Sequence, residues 1–172
     1  DLAYIFKVYG EENFAAKVAT AIVREREKTP FETTLQLSEF IKRVIGGKPT
    51  PKHKATRCFQ ALRIAVNGEL DELKKALESS IDVLADDGRL CVISFHSLED
   101  RIVKTFIKDK SQGQKIPNGL PITFEEAEKM RLATAKVEPV GGAIKATPEE
   151  IAANVRSRSA TLRICKRLKR LP

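Results

Sequence analysis

The sequence predicts an α/β protein, helical in its first half and mixed in its second. Three observations carry that reading. Residues 1–85 place apolar side chains at helical spacing and show no strand pattern. Leu90-Cys91-Val92-Ile93 then runs without polar alternation, after the turn signal Asp86-Asp87-Gly88 and with a helical pattern on either side. Such a short apolar run predicts a strand buried on both faces, the habit of parallel sheets, and the α–β–α order is a slice of a doubly wound sheet. Finally, Thr161 to Lys166 alternates Leu162 and Ile164 with Arg163 and Cys165, which predicts a strand with one wet face.

In chain order, the sequence opens inside an apolar-periodic stretch (Leu2, Ile5, Phe6) without an initiator Met, as a piece cut from a longer protein would. From about 11 to 28, Phe14, Val18, Ala21 and Ile22 share a face, with Lys17, Arg24 and Glu25 around the rest, and the helix ends before Pro30. A second helix over about 34–45 carries Leu37, Phe40, Ile41 and Val44 and stops at Gly46-Gly47. Lys48-Pro49-Thr50-Pro51-Lys52 is a stiff, basic connector. A third helix starts near Ala55 with Phe59, Leu62 and Val66 as its apolar face, and Asn67-Gly68 interrupts it. A fourth carries Leu70, Leu73, Leu77, Ile81 and Leu84. Past the first strand, Leu98, Ile102, Val103, Phe106 and Ile107 describe another helix. Residues 109–146 hold Gly113, Pro117, Gly119, Pro121, Pro139 and Gly141-Gly142, and read as a long, partly irregular, mobile connection with one helix from Glu125 to Ala133. Thr147-Pro148-Glu149-Glu150 has the residues of a helix start.

Composition bounds the function. The chain has 172 residues and a net charge of +8, from 31 Lys plus Arg against 23 Asp plus Glu. Seven of the basic residues (Arg156, Arg158, Arg163, Lys166, Arg167, Lys169, Arg170) lie in the last 17 positions, which hold no acidic ones. The body is therefore near neutral and one edge is basic, suited to nucleic acid or an anionic surface. No apolar run approaches the roughly 18 residues of a membrane span, and the N-terminus lacks the pattern of a signal peptide. Cys58, Cys91 and Cys165 form no C-x-x-C pair, and His53 and His96 are the only histidines. These features speak against a metal site or a disulfide scaffold, and for three reduced cysteines acting as small hydrophobes in a cytoplasmic protein. No G-x-S-x-G, H-E-x-x-H, P-loop or G-x-G-x-x-G motif is present.

Polar residues gather in three places. Ser94-Phe95-His96-Ser97-Leu98-Glu99-Asp100-Arg101 follows the apolar strand, where open α/β sheets bind ligands. Ser97 with Asp100 reads as a helix-capping pair, and His96 and Ser94 as site residues, since capping needs no imidazole. Arg57, Gln60, Arg63 and Asn67 step by three, three and four, a stripe suited to phosphates or to an ordinary solvated face. Asn154-Val155-Arg156-Ser157-Arg158-Ser159-Ala160 alternates Arg and Ser, as either a phosphate-contacting loop or an exposed one.

At these clusters the chain resembles the bacterial ribosomal RNA small subunit methyltransferase H family. The resemblance rests on Ala55-Thr56-Arg57-x-Phe59-Gln60-Ala61-Leu62-Arg63-Ile64 through Asn67-x-Glu69-Leu70, on Gly88-Arg89-Leu90-x-Val92-Ile93 through Arg101, and on Arg156-Ser157-Arg158-Ser159-Ala160-x-Leu162-Arg163. It runs over essentially the whole chain and is weakest over 109–146. Lys54 and Val155 stand where that family usually has Pro, which touches local loop shape only.

The resemblance implies a Rossmann-like, S-adenosylmethionine-dependent methyltransferase domain interrupted by a helical RNA-recognition insertion. Residues 1–68 would be most of the insertion, and 69–172 the C-terminal part of the methyltransferase domain. The implied reaction methylates the exocyclic amine of a cytidine in 16S rRNA at the decoding centre of the small ribosomal subunit. That family's cofactor loop would lie upstream of Asp1, so no residue here is expected to bind S-adenosylmethionine, and the chain alone is expected to be inactive. Ser94, His96 and Glu99 are the expected catalytic residues. Arg57, Gln60, Arg63, Asn67, Arg156, Ser157, Arg158 and Ser159 are the expected RNA contacts. Exposed sheet edges would invite pairing of two copies. The alternative is a non-enzymatic basic RNA-binding module, suggested by the C-terminal charge. Within that charge, Arg156, Arg158 and Arg163 belong to the family-like segment, and Lys166 to Arg170 read as a soluble end.

Overall fold

The computed structural model describes residues 1–48, 50–113 and 122–169, which fold as two compact units, Asp1–Glu69 and Leu70–Pro172. Of the basic connector, Pro49 lies outside the described residues, as do Pro117, Gly119 and Pro121 of the long connection and Arg170 of the basic end.

The first unit is helical: α1 (Leu2–Val8), α2 (Ala15–Arg26), α3 (Thr34–Ile45) and α4 (Thr56–Asn67). Its core joins Phe6, Val18, Ile22, Ile41 and Cys58 with the small residues Ala15, Ala19, Ala55 and Ala61. α3 follows its sequence pattern closely. Thr33 and Gln36 form a reciprocal capping box, Gly46 ends the helix at φ 63°, and Lys54 Nζ donates to the carbonyls of Gly46 and Gly47. Two faces differ from expectation. Phe14 is 48% exposed, and the buried line of α2 is Ala15, Val18, Ala19 and Ile22. In α4 the buried line is Cys58, Ala61 and Ile64; Phe59 and Leu62 only flank it, and Val66 is 82% exposed. The cause is close packing at Gly10, just after α1. A Cβ there would lie 2.7 Å from the Arg57 carbonyl oxygen and 3.2 Å from Ala61 Cβ, so small residues of α4 face α1.

The second unit holds α5 (Glu69–Val83) from its second residue on, β1 (Arg89–Ser94), α6 (Ser97–Gln112), α7 (Phe124–Thr134), β2 (Val137–Pro139), β3 (Ile144–Lys145), α8 (Pro148–Ala153), a 3-10 turn (Val155–Ser159) and β4 (Thr161–Arg167). The α/β class holds, and Thr147 caps α8 as its sequence suggests. The strand pairing corrects the sequence reading. β4 is central, with β1 antiparallel on one side and β2 and β3 antiparallel on the other. β1 is not buried on both faces: Arg89, Cys91 and Ile93 are exposed, while Leu90 and Val92 pack toward Leu77, Ile81, Val103, Phe106, Val137 and Cys165. Cys91 is therefore an exposed thiol, not a core hydrophobe.

β4 alternates, but its inward face is Thr161, Cys165 and Arg167 rather than Leu162 and Ile164. Arg167 is no soluble end. It is 5% exposed, and its Nη1 donates to the carbonyls of Ile81 and Leu84 at the end of α5. Its neighbour Lys166 pairs with Glu138 at 3.0 Å. No helix among the described residues is long and apolar enough to cross a membrane.

Candidate functional site

Antiparallel pairing brings two of the three polar clusters together. Ser94, the last residue of β1, lies opposite Thr161, the first of β4, so the turn into α6 adjoins the end of the Arg-Ser turn. Ser94 and Thr161 are buried, at 3% and 4% exposure. The Arg57 cluster lies in the first unit.

His96 occupies the N-cap of α6, in extended backbone conformation. The capping pair is thus His96 with Glu99, and not Ser97 with Asp100. Nδ1 of His96 accepts from the Glu99 amide at 3.4 Å, and Glu99 Oε2 accepts from the amides of Phe95 (2.8 Å) and His96 (3.2 Å). An acceptor Nδ1 leaves the proton of a neutral imidazole on Nε2. That Nε2 is buried and has no hydrogen-bond partner among the described residues. Glu99 Oε1 lies 3.5 Å from it, too far for a good hydrogen bond. Buried donors are rarely left unpaired, and here the unpaired Nε2 stands beside Glu99 Oε1.

Asp100 has a different role. Both its oxygens accept from Arg163, at 2.8 and 2.9 Å, which bolts the first turn of α6 to β4. The guanidinium hydrogen bonds hold the Asp100 carboxyl below the usual carboxylate range. The signal that would have found this pair is the β1–β4 register, which neither strand reveals alone.

In the Arg-Ser segment, Asn154 Oδ1 accepts from the Arg156 amide and the buried Ser157 hydroxyl donates to the Asn154 carbonyl, at 2.8 Å. Arg156, Arg158 and Ser159 point outward, and among the described residues neither arginine makes an ion pair.

The stripe on α4 exists, with its polar ends engaged within the first unit. Arg57 Nη1 donates to the Glu11 carbonyl and Gln60 Nε2 to the Tyr9 carbonyl. Arg63 grips Glu69 through Nε (2.7 Å) and Nη2 (2.9 Å), and Asn67 donates to the same carboxylate. Among the described residues no group of three or more His, Cys, Asp or Glu is arranged to hold a metal ion.

A family model described as the MraW methylase family matches residues 1–168. The chain belongs to the MraW methylase family. The ribosomal RNA small subunit methyltransferase H of Shewanella halifaxensis is 52% identical over 168 residues, 98% of this chain and 52% of the relative. The proteins of that name from Shewanella loihica and Shewanella oneidensis are 52% and 51% identical over the same shares. The chain thus spans about half the length of the curated relatives it matches. Membership in the MraW methylase family agrees with the resemblance carried by the three sequence motifs.

Proposed function

We propose that this chain forms the acceptor side of an rRNA methyltransferase, one that moves a methyl group from S-adenosylmethionine to the exocyclic amine of a cytidine in 16S rRNA at the decoding centre. Residues 1–68 act as a helical RNA-recognition insertion in this reading, and 69–172 as the C-terminal part of a Rossmann-like domain. One observation carries the assignment of the site: the buried Nε2 of His96, unpaired among the described residues, beside Glu99 Oε1 just after β1.

Cytosine's amine is a poor nucleophile because its lone pair is delocalised into the ring. The base must leave its stack, be aimed, and lose a proton. Its pairing edge offers an acceptor at N3 next to a donor at N4. Nε2–H and Oε1 match that order: His96 donates to N3, and Glu99 accepts from N4–H and takes the released proton. His96 in this tautomer orients the base and is not the proton acceptor. Uracil, with a donor at N3 and an acceptor at O4, opposes both groups. Ser94 and Thr161 form the floor beside them, and Arg156 and Arg158 hold the RNA backbone, with Ser157 and Ser159 shaping their turn. Arg57, Gln60, Arg63 and Asn67 shape the RNA-facing surface of the insertion.

S-adenosylmethionine supplies the methyl group. The described residues do not fit it as a binding site: neither strand-to-helix connection, Phe95-His96 or Ala146-Thr147, contains the glycines that let a nucleotide approach backbone. We assign it no residue, and the 172 residues alone are inactive in this reading. Calorimetry is expected to detect no S-adenosylmethionine binding by this chain, and tight binding contradicts the reading. Two copies would pair through the outer edge of β1, which is unpaired among the described residues; a monodisperse monomer in light scattering refutes that.

The deciding assay is methyl transfer to small-subunit rRNA by a full-length family member carrying these residues. Glu99→Gln keeps a capping side chain and should lose at least about 100-fold in rate. Full activity in both Glu99→Gln and Ser94→Ala favours a non-enzymatic RNA-binding role for this region.

A further inference from the structure

A cavity of about 240 Å3 opens between α6, the β2–β3 connection and β4, apart from the His96 site. Lys104, Lys108 and Ser111 line it from α6, Gly141 and Gly142 from the connection, and Arg163 from β4. None of its lining residues is acidic.

Lys104 and Lys108 stand one turn apart on a single face of α6, exposed and without an ion pair among the described residues. Arg163 uses Nε and Nη2 to hold Asp100, and its Nη1 has no hydrogen-bond partner among the described residues. Lys145, in β3, donates to Thr161 Oγ1, and its charge bears on Asp100 together with that of Lys104. Asp100 is already taken by a bidentate fork, so the neighbourhood keeps an unbalanced positive charge.

The glycines add an independent observation. Gly141 has φ 69°, which favours glycine. Gly142 does not have a positive φ, and a Cβ there would meet nothing within 4 Å among the described residues. Neither its own backbone conformation nor its packing against the described residues requires a bare residue at 142. Bare backbone at the mouth of a cationic cavity suits close approach by something outside the chain.

We propose that this cavity binds a phosphodiester group of RNA, clamped by Lys104 and Lys108, with Arg163 Nη1 as a third donor and Gly141-Gly142 as the backbone it approaches. Lysine and arginine contacts of this kind fix the register of an RNA strand without reading its bases. The inference rests on the RNA-binding reading above and adds where one phosphate sits.

The test titrates this chain with a fluorescent single-stranded oligoribonucleotide over a range of salt, and follows amide resonances with inorganic phosphate as a second probe. For Lys104→Gln/Lys108→Gln the slope of log affinity against log salt should shrink by about 0.7, the share of one single-strand phosphate. Lys74→Gln/Lys75→Gln, an equal loss of charge on exposed α5 lysines paired with Asp71 and Glu72, should leave it unchanged. Gly142→Leu, with charge intact, should weaken binding severalfold. Inorganic phosphate should shift the Gly141 and Gly142 amides in the wild type and not in the double lysine variant. Equal slopes for the two double variants, with RNA still bound, refute this site and leave the RNA reading standing. Phosphate shifts without any RNA binding at low salt refute the RNA reading, and with it the phosphodiester assignment. Silence in both probes refutes the cavity as an anion site of any kind.

Discussion

Arg163 and Asp100 meet in a two-pronged ion pair, Nε to Oδ1 at 2.8 Å and Nη2 to Oδ2 at 2.9 Å, with side-chain exposures of only 18% and 26%. The pair fixes β4 against the helix whose N-cap is His96. Asp100→Asn should destabilise the second unit by about 1–2 kcal/mol, as expected for a partly buried charge-assisted pair. The pH dependence follows from the lowered Asp100 pKa. A depressed folded-state pKa gives stability that is present above the unfolded value of about 3.9 and lost as pH falls through the folded value. Urea unfolding should therefore show a gap between wild type and Asp100→Asn that is full at neutral pH and closes below about pH 4. A gap that stays constant into acid contradicts the pairing.

Arg167 should matter as much to stability as a core residue. Its guanidinium satisfies two carbonyls at the end of α5 from a position 5% exposed. Arg167→Met keeps most of the volume and strands those acceptors, at about 2–3 kcal/mol. The melting temperature should drop by about 4–12 °C. A drop no larger than that of an exposed Lys169→Met variant would show that the guanidinium is not inside.

At Gly10 the obstacle is backbone. A Cβ would lie 2.7 Å from the carbonyl oxygens of both Phe6 and Arg57. Gly10→Ala should cost about 1–3 kcal/mol through overpacking, while Gly142→Ala should stay within about 0.5 kcal/mol. Thermal unfolding of the two variants side by side checks the contrast.

The three cysteines should separate by reactivity. Burial, and then the nearby charge of Glu12, push the Cys58 thiol up to about 12. Burial also raises Cys165, with Cys91 adding to it. Cys91 is exposed. Since the thiolate is the reactive form, a thiol reagent at neutral pH should modify Cys91 in the native protein and all three after denaturation. Native modification of Cys58 or Cys165 contradicts the core described above.

What the sequence disclosed depended on how each element is buried. α3 was legible because Leu37, Phe40, Ile41 and Val44 form one large apolar face. α4 was misread because its closest packing uses Cys58 and Ala61, while its larger residues Phe59, Leu62 and Val66 lie beside the seam or in solvent. β1 looked doubly buried because an apolar run does not name its partner strand; its neighbour is β4, some 70 residues later. β2 and β3, three and two residues long, are too short for any alternation to register. A buried arginine such as Arg167 runs against the usual partition of charge. In the candidate site, Ser94, His96 and Glu99 stood out as a polar cluster after an apolar strand. The capping role of His96 did not, since His is not among the favoured N-cap residues. That role sets Nδ1 against the Glu99 amide and leaves Nε2 buried and unpaired among the described residues.

The most direct test of the site is methyl transfer to small-subunit rRNA by a full-length family member carrying these 172 residues with His96→Asn. Asn is a favoured N-cap, so α6 should keep its start and the melting temperature should stay close to wild type, but the Nε2–H donor is gone. The predicted result is a rate loss of at least about 100-fold, with RNA affinity little changed. Full activity at unchanged stability would show that His96 is a helix cap and nothing more.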